Sequence, residues 1–417
     1  MESIEQMIKR LCPKGVEYVK LGDLFELRNG YTPSKGNVDF WTDGTIPWFR
    51  MEDIRANGRI LNDSIQHITP SAIKGKGLFP AGSFILATTA TIGEHALLTT
   101  DSLANQRFTN LSVRKTYQKD VNVKFLYHYM FIIDEWCKKN VNSSSFASVD
   151  MNKLKEYMIP IPPLEIQSRI VEVLDKMTTL TAELEAELEA RKQQYEYYRN
   201  KLLSYNEIGM CNRQVAWKRL GDILYSIRTG LNPRKFFSLN TPDATNFYVT
   251  IKEFKGGNLV FGNNTDMIND EAMRLCNNRS HLEEGDLLFS STGTIGEVLI
   301  VKETPRNWNI KEGVYALKPK SEEIKVEYLK HIMQNSSVKA KLESISEGGT
   351  VKSISMKKLA DFVIPVPSMQ EQQRIVSILD RFEALTTDLQ SGLPAEIEAR
   401  RQQYEYYRNK LLTFEAV

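Results

Sequence analysis

EARKQQYEYYRNKLLSY, Glu189 to Tyr205, returns as EARRQQYEYYRNKLLTF, Glu398 to Phe414, with three positions changed. Near-identity over that length is the mark of an internal duplication, and a repeat governs every later reading of a chain. Working back towards the N-terminus, IPIPPLEIQSRIVEVLD (Ile159 to Asp175) returns as IPVPSMQEQQRIVSILD (Ile364 to Asp380). FLYHYM at Phe125 matches YLKHIM at Tyr328, and GSFILATTATIGE (Gly82 to Glu94) matches GDLLFSSTGTIGE (Gly285 to Glu297). Tyr31-Thr32-Pro33 with Lys35 matches Leu231-Asn232-Pro233 with Lys235, and LGDL at Leu21 matches LGDI at Leu220. The order is the same throughout, so each half is a globular domain followed by a helix.

After Pro160, Pro162 and Pro163, apolar residues recur at three- and four-residue spacing: Ile170, Leu174, Met177, Leu184, Leu188, Tyr195, Tyr198 and Leu202. This is a heptad seam, and Thr181 and Arg191 interrupt it without shifting its register. The second copy runs Ile375, Leu379, Phe382, Leu389, Leu393, Ile397, Tyr404, Tyr407 and Leu411. Ile159 and Ile364 are offset by 205, whereas Glu189 and Glu398 are offset by 209. Four extra residues therefore enter the second helix near Ser391-Gly392-Leu393-Pro394, where Gly and Pro predict a kink or break. A helix with an apolar stripe must bury it, and the natural partner of each is the other.

In the globular parts, short β-like runs (Ser83 to Ala87, Asp286 to Ser290, Asn309 to Leu317) alternate with Gly/Pro punctuation, and helices are expected at Val123 to Lys138 and Val326 to Ser344. The predicted fold is α+β: two mixed domains, each with a curled and mostly antiparallel sheet, separated by two long helices. These form an intramolecular antiparallel coiled coil with a pseudo-twofold internal repeat. The expected boundaries are 1–163, 164–205, 206–368 and 369–417.

Composition narrows the function class. The 417 residues are 41% hydrophobic and 25% charged, ordinary for a globular protein. No run of eighteen apolar residues exists, and the first residues lack the apolar segment of a signal peptide, so a cytoplasmic protein with no membrane span is expected. Cys12, Cys137, Cys211 and Cys276 are scattered, which argues against zinc and disulfides. Net charge is +2; the segments 164–205 and 369–417 each sum to −2, which leaves +6 for the rest. No P-loop exists, Gly75-Lys76-Gly77 is no dinucleotide loop, and the five histidines are not spaced as metal ligands. His128 and His331 hold matching helix positions, which suits packing or a surface role. Gly93 and Gly296 read as turns between strands more readily than as props for a catalytic Glu94/Glu297 pair.

The features NGYTP…FWTDGTIPW (Asn29 to Trp48), the doubled TIGE loops, Asn105-Gln106, the IP-x-P-P/S-x-x-x-Q-x-x-I runs and a TAEL-like helix ending in QQYEYYRNKLL resemble the specificity subunits of Type I restriction–modification enzymes. The resemblance spans essentially the whole chain, and the last two features are similar to the IC subclass. It implies target recognition domains that read a bipartite double-stranded DNA site, with adenine methylation and ATP-driven cleavage performed by other chains. It implies two methyltransferase and two restriction subunits as partners. S-adenosylmethionine, ATP and Mg are then expected on those partners, and no cofactor, metal or catalytic residue on this chain. In that subclass TAEL repeats are associated with target spacing; Thr181 to Leu188 here reads TAEL-EAEL, and each four-residue unit adds about 6 Å of helix. The second domain departs from the pattern: NFYVTIKEF (Asn246 to Phe254) stands where IPW is expected, and Asn105-Gln106 has no visible counterpart near Asn309.

Phosphate contacts call for Lys, Arg and small polar groups, and base readout for side chains that reach groove edges. The candidates in the first domain are Lys35, Trp48, Arg50, Arg55, Asn57, Arg59, Lys74, Lys76, Thr89, Gln106 and Arg107. In the second they are Arg234, Lys235, Lys252, Lys255, Arg274, Arg279, Ser291 and Lys352. Tyr195, Tyr197, Tyr198, Tyr404, Tyr406 and Tyr407 are candidates for binding partner subunits, Tyr197 and Tyr406 because they fall outside the seam. The competing reading is an adaptor that spaces two protein-binding modules and has no DNA preference.

Overall fold

A computed structural model describes residues 2–142, 147–205, 215–349, 351–388 and 391–415. The chain forms two compact units, Met1–Ala182 with Ala399–Val417, and Glu183–Glu398. In the first, antiparallel strands Phe25–Asn29, Phe108–Val113, Phe84–Ala87 and His95–Leu98 lie side by side, and Ile60–Leu61 adds a parallel edge. A smaller sheet centres on Ile46–Phe49, which pairs antiparallel with His67–Ile68 and parallel with Leu103–Ala104. The second unit repeats the smaller sheet and the four antiparallel strands of the larger one. Leu224–Thr229, Val314–Pro319, Leu287–Ser290 and Val298–Ile300 form the larger, and Asn246–Val249 centres the smaller between Met267–Ile268 and Trp308–Ile310. NFYV thus takes the place of IPWF although no matching position is identical.

The central strands read as unbroken apolar runs because both sheet faces are covered. Phe84 and Leu86 face a core built with the helix Val123–Lys139, while Ile85 and Ala87 face a second core with Trp48 and Phe49. Leu287 and Phe289 against Leu288 do the same in the second unit. Two expected elements are divided. Asn335 ends the helix Val326–Gln334 and caps Ser336–Ser344, its side chain accepting from Ser337 N and Val338 N. The run 309–317 breaks at Gly313, whose φ of +99° turns the chain between Trp308–Ile310 and Val314–Pro319.

The first arm is one helix, Leu164–Leu203, 40 residues long, about 60 Å at 1.5 Å per residue. The second arm is broken as expected, into Met369–Thr387 and Leu393–Leu411. Gly392 is required at the break, because a Cβ there would lie 2.7 Å from Ala384 O and 2.8 Å from Asp388 O. Each unit holds the beginning of one arm and the end of the other. Ile166, Ile170 and Leu174 share the first core with Leu412 and Phe414. Tyr195 and Leu203 share the second with Ile375 and Leu379. Within each unit, then, the start of one arm packs with the end of the other.

Two duplicated devices fix the arms. Gln167 and Gln372, the glutamines of the IP-x-P-P/S-x-x-x-Q run, are fully buried. Gln167 donates to Pro162 O (2.7 Å) and Asp120 O (2.8 Å) and accepts from Asn122 N (2.7 Å). Gln372 does likewise with Pro367 O, Glu323 O and Lys325 N. Further along, His128 Nε2 meets Asp175 at 2.9 Å and its Nδ1 meets the Tyr404 hydroxyl at 2.9 Å. Burial holds His128 below the usual imidazole value, so the neutral ring donates from Nε2 and accepts at Nδ1. His331 repeats the arrangement with Asp380 (2.7 Å) and Tyr195 (3.3 Å).

Candidate nucleic-acid interface

In each unit, four segments converge at one end of the sheets. Gly30 approaches the turn after Leu103–Ala104 so closely that a Cβ would lie 2.2 Å from Asn105 O. Asn105 N donates to Phe49 O (3.0 Å), Phe108 N to Asn105 O (3.1 Å) and Thr88 N to Arg107 O (3.0 Å). Thr89 pairs with Ser148 through a backbone bridge. In the second unit a Cβ on Gly230 would lie 1.8 Å from Ile310 O. Lys311 N donates to Val249 O (2.9 Å), Val314 N to Lys311 O (3.0 Å) and Ser291 N to Gly313 O (2.8 Å). Thr292 pairs with Ser353. The two frames are the same, so Asn105-Gln106-Arg107 does have a counterpart: Lys311-Glu312-Gly313. The letters differ because the frame is held by backbone groups, which place no demand on these side chains.

Several candidates stand on this frame with exposed side chains. Lys35, Gln106 and Arg107 do so in the first unit, and Arg234, Lys235 and Lys352 in the second. Thr89 is half-buried beside them, and Gln106 receives a hydrogen bond from the Thr32 hydroxyl. Lys74 lies next to the frame, its N–H donating to the Tyr31 hydroxyl at 2.8 Å. Arg50 is half-buried over the Trp48 ring, one residue beyond Phe49.

The structure removes three candidates. Trp48 is 3% exposed, donates its indole N–H to Tyr31 O at 2.9 Å and meets Trp41 edge-on, so it is core. Arg59 is committed to Asp134 Oδ2 (2.9 Å) and His95 O (3.3 Å) and lies over Phe131. Ser291 is 1% exposed with its hydroxyl donating to Gly313 O; its exposed neighbour Thr292 is the counterpart of Thr89. Others stand on separate elements: Arg55 and Asn57 on the helix Met51–Asn57, Lys252 and Lys255 around the hairpin 254–259, Arg274 and Arg279 on Asp270–Ser280. Lys76 is paired with Glu26 at 2.7 Å.

Among the partner-binding candidates, Tyr195 and Tyr404 are corrected. Both serve the buried histidine pairs just described, and burial pushes both phenols well above their usual range. Tyr198 stacks on Phe382. Tyr197, Tyr406 and Tyr407 remain exposed, at 58%, 62% and 38%.

One cluster has the composition of a metal site. His331, Asp380 and Glu383 bring ligand atoms within 4.8 Å of one another. The Lys330 ammonium already lies between the carboxylates, on Glu383 and 4.0 Å from Asp380, and supplies the positive charge that a cation would bring. Gly93 and Gly296, with φ of +76° and +88°, form the turns between neighbouring strands, and Glu297 is paired with Lys339 at 2.8 Å.

Residues 13–191 and 212–399 match the family described as the Type I restriction modification DNA specificity domain. The specificity subunit of the Type I restriction enzyme EcoprrI from Escherichia coli is 36% identical over 400 residues, 93% of each chain. That of EcoR124I/EcoR124II, also from Escherichia coli, is 33% identical over 313 residues, 70% of this chain and 71% of the relative. A chain solved in work on complex assembly and conformational transition of the type I R-M system superposes with a TM-score of 0.66 at 16% identity, covering 96% of this chain and 98% of that one. The S subunit of a Type I system from M. genitalium gives 0.50 over 95% and 96% at 16% identity, so both share the fold. With the same reading frame built twice and both copies matched, the chain belongs to the Type I restriction–modification DNA specificity family, the non-catalytic subunits that recognise the DNA target.

Proposed function

We propose that this chain reads a two-part DNA target, one half-site per unit, and carries two methyltransferase and two restriction subunits within a cytoplasmic Type I enzyme. S-adenosylmethionine, ATP and Mg belong to those partners in this reading, and the chain itself binds no cofactor. The observation that carries it is the doubled four-segment frame, which shares three loop hydrogen bonds and one strand bridge between the units and differs in its side chains. One architecture presenting two sets of groups suits two unlike half-sites. The exposed Tyr197 and Tyr406 fall at matching places in the repeat and suit two copies of one partner, since exposed aromatics are enriched where proteins dock. Among the described residues no helix is long and apolar enough to cross a membrane.

The test is reconstitution. The purified chain is combined with its methyltransferase subunit and S-adenosylmethionine, and modified adenines are mapped by sequencing. The expected result is methylation at a two-part motif with a fixed gap, and none from the chain alone. An adaptor without DNA preference gives no motif, and binding that does not weaken with salt, against the steep salt dependence of phosphate contacts.

A further inference from the structure

The internal repeat supplies a comparison within one molecule. Two frames that read unlike sequences share whatever contacts the DNA regardless of sequence, and differ where bases are read. Thr89/Thr292 and Ser148/Ser353 are the same at matching places on the two frames, and Pro33/Pro233 and Lys35/Lys235 are the same in the aligned sequence just beyond Gly30 and Gly230. The places that differ include Tyr31 against Leu231, Thr32 against Asn232, Ser34 against Arg234, Ala147 against Lys352, and the turn Asn105-Gln106-Arg107 against Lys311-Glu312-Gly313, which is the only one of these to bring in a carboxylate. Lysine and hydroxyl groups suit phosphate, which is the same at every base pair.

Glu312 is the informative residue. It is exposed, and among the described residues no ion pair holds its carboxylate. It stands on a frame whose neighbours Lys311, Lys352 and Arg234 are cationic. A carboxylate facing a phosphate is repelled. Facing a base edge it accepts from an exocyclic amine, and the cytosine N4 amine in the major groove is the usual partner of Glu. The adjacent Lys311 matches the guanine O6 and N7 acceptors. The main chain of the turn is held in place, because Lys311 N and the Glu312 N–H are tied to Val249 O (2.9 Å) and Leu231 O (3.3 Å).

We propose that Lys311 and Glu312 are specificity-determining residues of the second unit, with Glu312 accepting from cytosine N4 at one position of its half-site, while Lys35 and Lys235 bind phosphate in both units. This rests on the two-half-site reading above. The experiment uses the chain assembled with its methyltransferase subunit, and the motif of the unaltered complex is read first; failure there is failure of the two-half-site reading itself. In Glu312→Gln, one position of one half-site loses its preference by roughly 10- to 100-fold, and the other half-site is unchanged. In Lys235→Ala, binding weakens for all sequences alike, the salt slope falls by about one unit, and the motif stays. Retention of the full motif by Glu312→Gln at normal methylation overturns the proposal, as does a changed motif in Lys235→Ala. The unaltered half-site in each variant shows that the protein is folded.

Discussion

Asp286 is the clearest case of a single residue whose environment sets its behaviour. It is 2% exposed, one carboxylate oxygen accepts from Glu283 N at 2.9 Å, and the other has no partner. Burial pushes its carboxyl up to about 6 from 3.8. A raised carboxyl opposes folding when ionised: the penalty is absent below pH 3.8, builds as pH rises through about 6, and is complete above it. The shift caps that penalty at about 3 kcal/mol. The second unit should therefore gain stability as pH falls from 7 to about 5, and Asp286→Asn should flatten that dependence in denaturant titrations. An unchanged slope would remove the explanation. None of this was legible in the sequence, where Asp286 opens an apolar run opposite Ser83 and reads as a strand-edge acid. Trp48 is a second case: in the sequence it stands among the DNA-contact candidates beside Arg50, and in the fold it is core. Side-chain direction on a short strand buried on both faces leaves no period-two signal to read.

At the scale of elements, the sequence was most legible where spacing and punctuation are strong. The break at Gly392 and the central strands follow from the letters, and so do the apolar stripes of the arms, except that Tyr407 of the second stripe is exposed and Leu389 lies outside the described residues. The division at Asn335 was missed although Gln334-Asn335-Ser336-Ser337 contains a helix-starting residue, because the apolar pattern continues across it. The frame around Lys311 was missed because it is made of backbone hydrogen bonds. The buried glutamines give the duplicated IP-x-P-P/S-x-x-x-Q run its physical meaning: each ties the strand end, the helix start and the preceding loop at the root of an arm. Gln167→Ala leaves two carbonyls and the Asn122 N–H without partners. It should cost about 3 kcal/mol, measurable by denaturation of the full chain. A cost under about 0.5 kcal/mol would mean that water replaces the amide.

For the whole molecule, the central claim is that two reading units share one chain so that the arms set the separation of two half-sites. The duplication, visible in the letters alone, carries most of this. The direct measurement is the methylation motif of the complex built with the chain lacking Glu185 to Leu188, four residues and about 6 Å of the unbroken first arm, beside that of the unaltered chain. The account predicts the same two half-sites with the gap shortened by roughly two base pairs at about 3.4 Å each. Methylation at an unchanged gap, or at altered half-sites, would contradict it.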